Sequence, residues 1–128
     1  MMGRRSIYLE DFSHSNPIPA ACEIDGVLMS GIIYGLDTTT GQPAATLDEQ
    51  CHLMFVHLRA VLEASGATPD DVVKLNVFLK DRSQRESLNR EWIALFPDPD
   101  SRPVRQAMQA DLDNGKLIQC DFVARISN

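Results

Sequence analysis

The sequence predicts an α+β domain in which one mixed sheet of five or six strands carries two helices on a single face. Three observations predict it. Two segments repeat apolar residues at three- and four-residue steps, the period of a half-buried helix. Five or six others alternate or run apolar between Gly, Pro, Asn and Asp, as strands do. The chain has 128 residues without an internal repeat, 44% hydrophobic and 23% charged, which is one globular domain over residues 1–128.

The elements follow in order. Ser6–Leu9 is a short candidate strand, and Asn16-Pro17-Ile18-Pro19 excludes helix because each Pro extends its predecessor. Ala20–Ile24 and Val27–Ile33 flank Asp25-Gly26, the signature of a hairpin. Tyr34 to Ala45 reads as a loop. Thr46-Leu47-Asp48-Glu49 is a capping box. It opens an amphipathic helix through Cys51, Met54, Phe55, Leu58, Val61 and Leu62 that ends at Gly66. Asp71–Lys80 is β-rich and mostly apolar, as a strand covered on both faces would be. Ser83-x-x-Glu86 is a second capping box before a helix bearing Leu88, Trp92, Ile93 and Phe96, stopped by Pro97 and Pro99. Val104–Leu112 alternates loosely, Asp113-Asn114-Gly115 is a turn, and Lys116–Ile126 closes the sheet. In that last strand Leu117, Gln119, Asp121 and Val123 share one face, and Ile118, Cys120, Phe122 and Ala124 the other. Two helices cover one sheet face; the other face calls for further copies of the chain.

Composition narrows the function. Twelve Lys and Arg against eighteen Asp and Glu give a net charge of −6, which opposes binding to a phosphate backbone, so no nucleic-acid partner is expected. Five Arg (82, 85, 90, 102, 105) cluster within 24 residues, interleaved with Glu86, Glu91, Asp98 and Asp100; Arg82, Arg85 and Arg90 read as a solvated helix face. No apolar run approaches the roughly 20 residues of a membrane span. MMGRRSIYLEDF has no apolar stretch behind its arginines, so no secretory leader is expected. Cys22, Cys51 and Cys120 are an odd, widely spaced set, which fits a reducing cytoplasm. His14, His52 and His57 form no ligand pattern, so neither a metal site nor a cofactor is expected.

The ordered pieces Gly26–Gly31, Gly35-Leu36-Asp37 to Gly41, Glu63-Ala64-Ser65-Gly66, Val73–Asp81, Asn89 before Trp92, Arg102-Pro103-Val104-Arg105 and Leu117–Ala124 resemble the RidA family, also called YjgF/YER057c/UK114, over nearly the whole chain. The resemblance implies a chorismate-mutase-like α+β fold and a homotrimer whose sheets close into a barrel with three clefts between subunits. It implies cofactor-free hydrolysis of reactive enamines and imines, such as 2-aminoacrylate, to keto acids and ammonia. Arg105 matches the family's substrate-binding Arg, a planar fork suited to a small carboxylate; the alternative is an ion pair with Asp111 or Asp121. Ser30 and Gly31 match the cleft-lining segment, or form a bulge. Asn89 matches a helix residue near the cleft, or is a surface amide. Phe78 is a cleft wall or core.

Three departures bear on the chemistry. Gln119 stands where deaminating members carry a Glu that activates water. An amide holds water but takes no proton, and losing a general acid–base costs about 10²–10⁴-fold, roughly 3–5 kcal/mol of barrier. Pro17-Ile18-Pro19 replaces a segment with a Tyr, and Ile32 stands where many members have Gln, so the cleft is expected to be more apolar. Asp121, two residues along from Gln119, is a candidate proton relay. The expected activity is therefore imine or enamine deamination with an altered substrate range. The alternatives are a non-catalytic carboxylate-binding trimer and, disfavoured by charge, an endoribonuclease.

Overall fold

A computed structural model describes residues 3–126; Met1 and Met2, where the leader reading begins, lie outside the described residues. The elements are β1 (Arg5–Ile7), β2 (Ala21–Ile24), β3 (Val27–Ser30), β4 (Ile33–Tyr34), β5 (Leu36–Asp37), β6 (Gln42–Pro43), α1 (Leu47–Ala64), β7 (Val72–Leu79), α2 (Glu86–Leu95), β8 (Val104–Gln109) and β9 (Ile118–Arg125). The main sheet runs β1-β2-β3-β9-β7-β8, and β4 pairs β9 beyond the end of β3. The strand expected over Val27–Ile33 is thus two strands, so the sheet has seven strands rather than five or six. β7 and β8 are parallel and joined through α2; the other pairs are antiparallel. The expected loop after Tyr34 contains a small ribbon, β5 against β6.

Local chemistry explains most boundaries. Asp25 (φ 51°) and Gly26 (φ 84°) both take the left-handed conformation of a hairpin turn whose twist suits β2 and β3. Thr46 Oγ1 accepts from the Glu49 amide at 3.2 Å and donates its own proton to the Glu49 carboxylate at 3.0 Å. The return bond of the box therefore runs to the hydroxyl. At the other end of α1, the Gly66 amide donates to Glu63 O and the Ala67 amide to Leu62 O, at 3.1 and 2.9 Å. That pair of bonds needs the φ of +80° that Gly66 supplies. The second capping box does not form. Asp81 lies two residues before Ser83 and captures both its amide (3.0 Å) and its hydroxyl (2.7 Å). Arg85 then takes the N-cap position without a side-chain cap.

The core lies between the helices and one sheet face. Leu28, Ile33, Leu75, Val77, Ile118 and Phe122 meet Met54, Leu58, Val61 and Leu88, all fully or almost fully buried. β7 is covered on that face alone. Lys74, Asn76 and Phe78 look the other way, half-exposed, where cover on both faces was expected. The same uncovered face carries Val27, Met29 and Val104.

One polar group sits at the centre of this packing. Gln50 is 1% exposed. Its Nε2 donates to Ala44 O (2.8 Å) and Gly115 O (3.0 Å), and its Oε1 accepts from the Leu117 amide (2.8 Å). Beside it the chain passes so close that a Cβ on Gly35 would lie 2.4 Å from Gln50 Cα and O. Gln50→Leu keeps the volume but leaves three backbone groups without partners, at about 1–3 kcal/mol each before relaxation. A loss of at least about 2 kcal/mol in urea unfolding is expected; an unchanged midpoint would remove Gln50 as the tie.

Burial also governs the thiols. It pushes Cys51 up to about 12 and Cys120 higher still, while Cys22 is half-exposed. A native titration with an aromatic disulfide at pH 8 should find one reactive thiol of the three, and all three after unfolding. A thiol raised in the folded state stabilises fully below its unfolded value of about 8.5. Stability should therefore fall as pH rises from there through 12, the folded Cys51 value.

Candidate active site

The break between β3 and β4 shapes the site. Met29 pairs Val123 and Ile33 pairs Cys120, so three residues, Ser30 to Ile32, face two on β9. That is a bulge. Ser30 holds it: its hydroxyl accepts from the Phe122 amide (2.9 Å) and donates to Gly31 O (2.9 Å). Ser30 is therefore committed to the backbone within the chain. Gly31 bonds Ala20 O through its amide at 2.9 Å. A Cβ there would lie 3.8 Å from its nearest neighbours, so this chain's own packing does not demand glycine.

The bulge opens beside a cavity of about 890 Å³. Gly31, Ile32 and Gln119 line it together, with Ile18, Leu9, Phe12 and Leu112 as apolar wall and Tyr34, Lys116 and Asp113 as polar wall. The two departures Ile18 and Ile32 thus fall in one lining, 47% and 55% exposed. Gln119 lies on β9 directly between Tyr34 of β4 and Phe78 of β7. Phe78 sits beside Gln119 without lining the cavity. Lys116 Nζ lies 4.6 Å from the Tyr34 ring centroid and 3.5 Å from Asp113 Oδ1. Burial raises the Tyr34 phenol above its ordinary value, so it stays protonated at neutral pH. Lys116 and Tyr34 were not singled out from the sequence.

Asp121 stands apart from this cavity. It shares the uncovered sheet face with Gln119, and its Oδ1 accepts from Asn76 Nδ2 at 2.8 Å.

Arg105 and Asn89 come together elsewhere. Arg105 pairs across β8 with Leu75, and so lies on the helix side of the sheet at its edge, two strands from β9. Its Nη2 donates to Asn89 Oδ1 at 2.9 Å, and its guanidinium stacks 5.0 Å from the Trp92 centroid. Neither Asp111 nor Asp121 pairs with it. Nη1 is buried and has no hydrogen-bond partner. Burial, and then the nearby charge of Arg85, lower its pKa from the ordinary arginine value; the group remains a cation at neutral pH. Arg102, its neighbour in the motif, has a structural task, donating to Phe96 O at 2.7 Å behind α2. Within one chain the structure does not bring Arg105 to Gln119. Among the described residues no three His, Cys, Asp or Glu converge.

Residues 9–126 match the protein-family model described as Endoribonuclease L-PSP. The chain belongs to this family, the RidA/YjgF proteins. It is 30% identical over 100 residues to a 2-iminobutanoate/2-iminopropanoate deaminase of Salmonella typhimurium, covering 77% of each chain. It is 31% identical over 91 residues to a RutC family protein of Pyrococcus abyssi, covering 70% of each. Among solved structures, RidA from an Antarctic Psychrobacter superposes with a TM-score of 0.87 at 25% identity, over 95% of this chain and 99% of that one. A Rid-family protein of Yersinia pestis superposes at 0.88 and 20% identity, over 97% and 100%. The α+β fold with two helices on a mixed sheet is therefore the RidA fold.

Ser30 offers a direct check on the geometry. Ser30→Ala should cost about 1–2 kcal/mol by orphaning the Phe122 amide at the bulge. Faster hydrogen exchange of that amide in the variant is the expected sign, and unchanged exchange would mean that Ser30 does not hold the break.

Proposed function

We infer that this RidA-family protein hydrolyses 2-imino acids or their enamine tautomers to keto acids and ammonia, in the cytoplasm, as a homotrimer. The observation that carries the reading is Arg105. A cation stacked on Trp92, steadied by Asn89 and left with a buried, unpartnered Nη1 is set up to receive a carboxylate. The name borne by the Salmonella relative supplies the substrate class.

Arg105 and the Gln119 cavity lie at different places on one chain, so the site is completed between copies. The uncovered sheet face, with Met29 and Val104 52% and 63% exposed, supports such an assembly. Sedimentation at micromolar concentration should give three times the 14.2 kDa chain mass; a monodisperse monomer would overturn the shared site.

In this reading Arg105 fixes the carboxylate and the Gln119 cavity of the next copy receives the imine carbon. The Gln119 side chain makes no hydrogen bond among the described residues, which leaves its carboxamide to hold water. Water oxygen bonds to the imine carbon while nitrogen gains a proton. The remaining O–H proton then passes to nitrogen as the C–N bond breaks, so that ammonia leaves and the ketone forms. Positioning alone supplies a large factor for so easy a hydrolysis.

Arg105→Ala should abolish binding of 2-oxobutanoate by calorimetry while the circular dichroism stays native. Unchanged affinity would remove Arg105 from the site. Gln119→Glu is nearly isosteric and adds a proton acceptor; it should raise ammonia release from 2-iminobutanoate at least tenfold, about 1.4 kcal/mol of barrier. No ammonia release by either form, with binding intact, would favour the second reading, a non-catalytic carboxylate-binding trimer, which the amide at Gln119 itself recommends. A ribonuclease reading is opposed by the net charge of −6.

A further inference from the structure

We propose that Arg85 is a second anion-binding residue of the Arg105 site, and that the site selects 2-imino acids whose side chain ends in a carboxylate. This rests on Arg105 holding the α-carboxylate, and it adds the substrate class.

The geometry comes from one stripe of α2. Arg85, Asn89 and Trp92 recur at steps of four and three, and so share a helix face. Asn89 and Trp92 both touch Arg105, the first by a 2.9 Å hydrogen bond and the second by stacking at 5.0 Å. That fixes the stripe as the one facing Arg105 and puts Arg85 one turn further toward the start of the helix. The two guanidiniums are close enough for the charge of Arg85 to act on Arg105.

Arg85 also lines an open groove of about 480 Å³ with Asp81, Arg82, Ser83 and Gln109. Gln109 lies on the same side of β8 as Arg105, four residues along. The groove thus lies on the α2–β8 seam beyond Arg105, and Arg85 is the residue it has in common with the stripe that faces Arg105. Its backbone is tied down. Arg85 Nε donates to Arg82 O at 2.9 Å, and the Arg82 amide donates to Gln109 Oε1 at 3.2 Å. The groove's carboxylate forms no ion pair with these arginines. Asp81 is engaged by Ser83.

The electrostatics need explaining in a chain with eighteen acids and twelve bases. Acids are in surplus, yet no carboxylate pairs with Arg82, Arg85 or Arg105 among the described residues. Two like charges held close, one with a buried donor unused, destabilise the free protein slightly and attract a dianion more than a monoanion. A monocarboxylate would leave Arg85 without a partner. The guanidinium remains free on its two terminal nitrogens to take a fork-shaped contact.

The test compares two keto-acid products that differ in the distal carboxylate. Calorimetry on the intact protein should show 2-oxoglutarate binding at least tenfold tighter than 2-oxobutanoate at low salt. Arg85→Gln should collapse that ratio toward one, and Arg85→Lys should restore part of it. Arg85 is exposed and caps a helix without a side-chain bond, so the variants should fold; if one does not, the wild-type ratio still decides. Equal affinities in the wild type, or a ratio that survives Arg85→Gln, would overturn the proposal and leave the deaminase reading standing. A diacid preference that depends on Arg85, with no ammonia released from either imino acid, would uphold the proposal and sink the deaminase reading instead. Binding of neither acid would remove Arg105 as the anchor, and this inference with it.

Discussion

The carboxamide of Gln50 joins parts of the molecule that have no other reason to stay together. It sits in the first turns of α1 and bonds the strand exit at Ala44, the turn at Gly115 and the entry to β9 at Leu117. All three partners are backbone groups, so the tie depends on the path of the chain and not on which side chains decorate it. Gly35 completes it by letting the chain cross the Gln50 backbone without a Cβ between them. The cavity wall from Asp113 to Gln119 hangs from this point. Lys116 and Gln119 face the cavity because the turn before β9 is pinned to the helix. A buried amide with every bond satisfied is a rigid fixture; a partly satisfied one would be a liability.

Two kinds of polar chemistry are kept apart on this frame. The cavity beside β9 holds an amide at Gln119, a phenol held protonated at Tyr34, and one lysine, Lys116, against two carboxylates, Asp111 and Asp113. The seam between α2 and β8 is cationic, with Arg105 and Arg85 and no paired acid. An anion is attracted to the second place and its reactive carbon to the first only if two copies meet. In the proposed reading the carboxylates go to the arginines of the second place, and the imine carbon meets the first, beside the wall of Ile18, Ile32 and Leu112.

What the sequence revealed depended on the range of the interaction. The Asp25-Gly26 hairpin, the span of α1 and the two faces of β9 follow from neighbours a few residues apart, and they were legible. The Ser83 box failed on the same scale, because Asp81 competes for the same hydroxyl and amide from two residues upstream. A bulge at Ser30 and Gly31 was one of two readings the sequence left open; what decides it is the Phe122 amide, 92 residues from Ser30 and out of reach of local pattern. Asn89 was placed at the cleft with Arg105 through the family resemblance, but its bond to Arg105 and the stacking of Trp92 were not legible, for a related reason. Asn89 and Trp92 reach it only because β7 and β8 are parallel with α2 between them, which places the helix over the edge strand. Lys116 and Tyr34 meet because Tyr34, read as the first residue of a loop, instead continues a strand that pairs β9.

The amide at Gln119 is compatible with chemistry because imine hydrolysis needs no net proton from the protein. The proton that water gives up as its oxygen bonds to carbon is the proton the nitrogen must gain. A second water or the substrate itself can carry it, so the task left to the protein is alignment. Gln119 can both donate and accept, and it lies between Tyr34 and Phe78 on adjacent strands, which limits where its carboxamide points. A carboxylate would add proton affinity at that point, but it would also add a negative charge facing an incoming anion. In a chain that already carries −6, replacing that charge by an amide favours binding of a doubly charged acid over speed on a singly charged one. The departure at Gln119 and the unpaired Arg85 are then two sides of one electrostatic arrangement: one removes repulsion from the dianion's path, the other gives its second charge a partner.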